Sequence, residues 1–165
     1  MILRKVHIRF IFLVLWVGGT MSCSFEKHTV NPRSDQEINP IRFEIVENAR
    51  EAVGARYGYG ATGTNRYDCS GLVYSLFTSY EISLPRSTRD MADYGEEIKK
   101  DELKPGDLIF FRNVRKIDHV AIVSRKSPAK TWLIHSTTSR GVVEEVLEDS
   151  PYWNTRIDQY RRYIP

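Results

Sequence analysis

The second half of the chain constrains the fold most, because four strand-like segments follow one another there with only short polar connections. Asp107–Arg112 comes after the turn Lys104-Pro-Gly, His119–Ser124 (HVAIVS) is the second, Thr131–Ser136 (TWLIHS) the third and Val142–Val146 the fourth. Ahead of them lie two amphipathic helical segments. Asn39 and Pro40 form a cap with proline at the first helical position, and Ile45, Val46, Ala49, Ala52 and Val53 carry the apolar stripe to Gly54. Asp68 caps a second helix whose stripe is Leu72, Val73, Leu76, Phe77 and Tyr80. Helices first and strands after predict an α+β domain with N-terminal helices packed on a central antiparallel β-sheet.

The N-terminus reads differently. Met1–Ser22 holds Arg4, Lys5 and Arg9, no acidic residue, and the apolar run Phe10–Val17 before Gly18, Gly19 and Cys23. This is the layout of a secretory signal peptide. A spanning helix needs about 20 apolar residues, roughly twice what this run supplies, and the stretch lacks the amphipathic pattern of a buried core helix. Cys23 sits where bacterial lipoprotein signal peptides place the cysteine that is lipidated; a plain secreted protein with Cys23 free or paired to Cys69 is the alternative. The organisation expected is therefore residues 1–22 signal peptide, 23–39 polar tether and 40–165 one domain.

Charge decides a partner class. The 165 residues carry 24 Lys plus Arg against 21 Asp plus Glu, a net charge of +3. Removing residues 1–22 removes three basic residues and no acid, leaving 21 against 21. No nucleic-acid footprint remains. Two cysteines in the whole chain also exclude multi-cysteine zinc-finger and iron–sulfur frameworks.

Tyr57-Gly-Tyr-Gly-Ala-Thr-Gly leads into the second helix. It lacks the spacing and lysine of a phosphate loop and follows a helix rather than a strand. What it delivers is Cys69 at the first helical position, where free backbone N–H groups and the helix dipole favour thiolate over thiol. Taken alone, Cys69 shares a face with Leu72, Val73 and Leu76 and reads as inert core. A base within reach changes that. Three histidines follow residue 22; His28 lies in the tether, leaving His119 and His135, both at strand ends. A hairpin centred near Ser127 sets His119 across from His135 or one residue off, with His135 better placed than Asp118 to orient it.

A cysteine at a helix start, a histidine base and a polar residue holding that histidine make the layout of a thiol hydrolase. The blocks YDCSGL, LPRST (Leu84–Thr88), KPGDLIFF (Lys104–Phe111), DHVAIV (Asp118–Val123) and IHSTTSRGV (Ile134–Val142) resemble, in order and spacing, the NlpC family of bacterial cell-wall cysteine peptidases, which has a papain-like fold. The resemblance covers about Val46–Tyr163. It implies Cys69 as nucleophile, His119 as general base and His135 as its orienting partner. It implies Tyr57, Asp68, Ser70, Arg86 and Ser87 as substrate-binding residues, and no metal or cofactor. The implied substrate is peptidoglycan: stem peptides cut between D-glutamate and diaminopimelate, or, in tethered single-domain members, the D-alanine to diaminopimelate crosslink. Such a protein is expected to be exported, lipid-anchored in the cell envelope and monomeric. Two other readings stand beside this one, a Cys/His/His zinc site and an inactive wall-binding scaffold on the same fold. Trp132, Tyr152, Trp153 and Tyr160 are candidates for glycan stacking or for ordinary packing.

Overall fold

The structure, a computed structural model, describes residues 39–165; the expected signal peptide, Cys23 and nearly all of the tether lie outside the described residues. Helix α1 (Pro40–Glu51) starts as its sequence dictates, with the Asn39 side chain accepting from the Ile41 amide and proline in the first turn. Two short strands, β1 (Arg56–Tyr57) and β2 (Arg66–Tyr67), pair in parallel around the glycine-rich loop. Helix α2 (Cys69–Thr78) follows, then α3 (Thr88–Ala92) and strand β3 (Glu96–Ile98). The remaining elements are β4 (Leu108–Asn113), β5 (Lys116–Lys126), β6 (Thr131–Thr137), β7 (Gly141–Val146), α4 (Pro151–Asn154) and β8 (Ile157–Arg162). Strands β3 to β8 form one antiparallel sheet in the order β3-β8-β4-β5-β6-β7. Among the described residues no helix is long and apolar enough to cross a membrane.

Strand alternation divides the core. Leu108, Phe110, Val120, Ile122 and Ile134 face the helices and pack with Ile45, Leu72 and Phe77. Ile109, Phe111, Ala121, Val123 and Leu133 face the other way, onto Ile98, Leu147, Trp153 and Tyr160. Both sides of β4 and β5 are therefore dry, which is why those strands read as continuous apolar runs. Asp107 is wholly buried at the head of β4. It bonds Arg42 of α1 at 2.8 Å, Arg162 of β8 at 2.8 Å and the Lys104 amide at 2.8 Å, clamping three segments with one carboxylate.

The strand register departs from the expected hairpin. Lys126 faces Thr131 and Ile122 faces Ile134, with an irregularity between Val123 and Arg125. The turn spans residues 127–130, closed by Ser127 N–H to the Lys130 carbonyl at 2.8 Å. Carried along the strand, this register sets His119 two residues away from direct opposition to His135. The polar connection is shorter than the composition suggested because Arg125 and Lys126 belong to β5, and the irregularity absorbs one residue. Strands β3 and β8 escape sequence reading: β8 is half-buried throughout and polar, held by partners on both sides rather than by an apolar face.

Candidate active site

The glycine-rich loop is fastened to α2 by the cap residue. Asp68 accepts from Gly71 N–H at 2.6 Å and Gly60 N–H at 2.8 Å, and pairs with Arg86 at 2.8 Å. Arg86 also reaches the Ser70 hydroxyl at 2.8 Å. Burial would raise the Asp68 carboxyl, but the Arg86 hydrogen bond and charge and the two amides outweigh it and hold the group below its ordinary value. Gly71 must be glycine, since a Cβ there would lie 2.0 Å from the Ala61 carbonyl oxygen. The loop thus lies directly on the first turn of α2, and Cys69 is fixed between them.

Cys69 is partly buried, with Sγ 3.6 Å from Thr88 Oγ1 and 3.9 Å from the Asp118 carbonyl oxygen. The sulfur rests against the backbone at the start of the histidine-bearing strand. Burial pushes the thiol above its ordinary value; Thr88 opposes this, the Asp68 charge reinforces it, and backbone groups at Ser70 and Val120 oppose it. The helix start alone suggested thiolate; burial and the adjacent Asp68 carboxylate push the thiol the other way. Cys69 rests as a thiol and needs a base.

Two histidines lie nearby, and His119 lines the same cavity as Cys69. His119 and His135 are 9% and 0% exposed, and His119 Nε2 lies 2.8 Å from His135 Nδ1. The contact is diagonal across β5 and β6 rather than directly opposite, a spacing that long or aromatic side chains bridge. Burial, with the second imidazole beside it, holds His119 well below its ordinary 6.5, against the opposing pull of Glu145. His119 is therefore neutral at neutral pH, with Nδ1 not used in the contact to His135. Both ring nitrogens of His135 are engaged, with His119 and with Glu145, and among the described residues no group of three or more His, Cys, Asp or Glu is placed to hold a metal ion.

Three further residues surround the cysteine and the histidines: Thr88 and Glu145, given no role from sequence, and Trp153, read there only as a stacking or packing candidate. Thr88 meets the sulfur. Glu145 Oε1 lies 2.7 Å from His135 Nε2 and accepts from Arg140 at 2.7 Å and Trp153 Nε1 at 3.0 Å. The His135 hydrogen bond, supported by Arg140 and opposed by burial, takes Glu145 down to about 2. Trp153 stacks on the His119 ring at 4.3 Å and 21°, so one face of this indole is taken up by packing. Trp132 lies beneath Arg125, and Tyr160 packs in the lower core. Tyr152 is 57% exposed and lines the cavity.

A cavity of about 460 Å³ opens over Cys69 and His119, lined also by Tyr57, Asp118, Ser136–Arg140, Trp153 and Arg156 among others. Tyr57 enters from β1, and burial, with the Asp68 charge in support, raises its phenol above the ordinary value. Asp68, Ser70 and Arg86 form their network beside the nucleophile and outside the lining of this cavity. Ser87 is exposed and caps α3, its hydroxyl shared with Asp90 at 2.7 Å.

Residues 54–162 match the NlpC/P60 family. The chain belongs to that family of cysteine peptidases. It is 38% identical over 158 residues to the Escherichia coli K12 protein named "Probable endopeptidase NlpC", covering 93% of this chain and 99% of that one. It is 30% identical over 125 residues to the murein DD-endopeptidase MepS/murein LD-carboxypeptidase of the same organism, covering 75% and 64%. An NlpC/P60 protein from Bacillus cereus ATCC 10987 superimposes with a TM-score of 0.68 at 26% identity, covering 75% of this chain and 40% of that one. The chain thus spans nearly the whole of one NlpC/P60 relative and under two thirds of the other two.

Proposed function

We propose that the chain is a peptidoglycan endopeptidase that hydrolyses peptide bonds of murein stem peptides through Cys69. The observation that carries this is His119, hydrogen-bonded to His135, lining the same cavity as Cys69 in an NlpC/P60 domain. The Cys69 sulfur attacks the scissile carbonyl as its proton passes to His119 Nδ1. The resulting oxyanion is received by the Cys69 backbone N–H and the protonated Tyr57 hydroxyl. Collapse expels the amine, which takes the proton from His119, and leaves a thioester. Water then attacks the thioester, His119 accepts a proton from it, and the carboxylic acid product and free thiol return. Asp68, Ser70 and Arg86 receive the peptide on the acyl side; the support is their charged network beside the nucleophile.

The bond cut is the crosslink between D-alanine and diaminopimelate. The support is similarity to a relative named a murein DD-endopeptidase. We further propose export, cleavage before Cys23 and lipidation there, which holds the domain at a membrane within reach of the wall. The support is the basic, apolar and small-residue succession of residues 1–23.

The test is digestion of defined muropeptides by the purified protein, with products identified by mass. Crosslinked dimers should yield monomers with a newly freed diaminopimelate amine. Release of an N-terminal L-Ala-D-Glu fragment instead would overturn the crosslink assignment, and no product from either substrate would overturn the peptidase reading.

A further inference from the structure

We infer that Glu145 is a positioning residue of the catalytic site, a fourth member that fixes which nitrogen of each histidine carries a proton and so aims the lone pair of His119 at the thiol. This rests on the thiol-peptidase reading above. The chain of contacts is explicit: Glu145 Oε1 to His135 Nε2 at 2.7 Å, and His135 Nδ1 to His119 Nε2 at 2.8 Å. A carboxylate oxygen can only accept, so His135 must carry its proton on Nε2. A neutral His135 then has a lone pair on Nδ1, and His119 must donate to it from Nε2. The lone pair of His119 is left on Nδ1, the one position from which it can take the Cys69 proton. Reversing any one tautomer puts two protons, or two lone pairs, face to face.

The surroundings hold Glu145 in that role. Arg140 from the turn between β6 and β7 donates to the same oxygen at 2.7 Å, and Trp153 of α4 donates at 3.0 Å. Three donors converge on one atom, which fixes its place and keeps it an acceptor. Trp153 spans both ends of the relay, bonded to Glu145 and stacked on the base. The titratable or charged groups meeting Glu145 are His135 and Arg140; His119 lies one step behind, and α4 contributes only the neutral indole. Neighbouring Glu144 points to the other face, accepting from Ser124 at 2.5 Å and approached by Arg50 at 3.8 Å, and takes no part. When the His119 ring gains a proton during attack, the Glu145 charge stabilises the cation through His135.

Two variants in the full mature chain test this, read by muropeptide kinetics and by nitrogen-15 NMR of the histidine rings. Glu145→Ala should abolish the preference of His135 for the Nε2–H form and lower kcat by about 10–100-fold, the worth of one charged hydrogen bond, with KM little changed. Glu145→Gln keeps an oxygen acceptor for the same three donors, so it should retain the tautomer and recover most of kcat. Its lost charge should move the acid limb of kcat/KM to lower pH. The inference is overturned if Glu145→Ala folds and keeps both the tautomer and kcat, or if its whole effect is on KM. Should Glu145→Ala not fold, Glu145→Gln decides: an unmoved acid limb overturns the inference. Should the wild type cleave no muropeptide, the ring spectra still decide the positioning claim on their own.

Discussion

Replacing His119 by alanine is expected to lower kcat for stem-peptide hydrolysis by about 10²–10⁴-fold, the usual worth of a positioned general base. The loss is expected to be large here because Cys69 cannot ionise unaided. It is partly buried, near the Asp68 carboxylate, with its thiol held above the ordinary value. The pH profile follows from the same environment. His119 must be neutral to act, and burial beside His135 holds it well below 6.5. Wild-type kcat/KM should therefore stay level as pH falls through 6.5 and decline only below it, whereas an ordinary histidine would already be half protonated there. Stability shares this sign. Below 6.5 the unfolded chain binds a proton that folded His119 refuses, so stability falls with pH until the lowered value is reached. Glu145 extends the loss, as its carboxylate contributes stability above the ordinary 4.5 that disappears as pH falls towards about 2. Steady-state kinetics from pH 4 to pH 8 (about four units spanning both histidine forms), beside circular dichroism of wild type and His119→Ala, check both statements. An unchanged kcat in a folded His119→Ala would be incompatible with this role.

Asp107→Ala is expected to cost about 3–5 kcal/mol of folding stability, the range for breaking a buried ion pair from one side. The carboxylate is wholly buried, and its partners Arg42 and Arg162 have side chains only 9% and 15% exposed. Truncation leaves two guanidinium groups facing each other without a counter-charge, and the Lys104 amide without an acceptor. Arg42 also donates to the Pro105 and Ile164 carbonyls, so α1, the turn before β4 and the chain end should loosen together. Urea unfolding should show a lower midpoint with an unchanged slope. A loss under about 1 kcal/mol, the worth of an exposed pair, would show that the cluster contributes little.

The aspartate in KPGD illustrates what the sequence conceals. Its neighbours Lys104-Pro-Gly announce a turn and Leu108–Phe111 a strand, both local signals. The two arginines it binds are 65 and 55 residues away, and nothing local marks them as its partners. The place of Cys69 at a helix start was legible because a cap, a helix start and an apolar stripe are all short-range patterns. The two histidines were legible as a pair because each sits on a strand and the strands are consecutive. Their register was not, because an irregularity near Ser124 depends on packing rather than on turn composition. Glu144 and Glu145 are adjacent and alike in sequence, and only strand alternation on β7 sends Glu145 to the histidine face. Trp153 stood among four aromatic candidates; a four-residue helix placed by the preceding turn puts it on His119.

The central claim is that one thiol, Cys69, performs the hydrolysis. The most direct measurement is digestion of crosslinked muropeptides by wild type and Cys69→Ala in parallel, with products followed by mass and both proteins shown to be folded. The account predicts accumulating monomers with wild type and none with Cys69→Ala, together with loss of wild-type turnover in proportion to alkylation of Cys69. Equal product from the two proteins, or full turnover after complete alkylation, would contradict it.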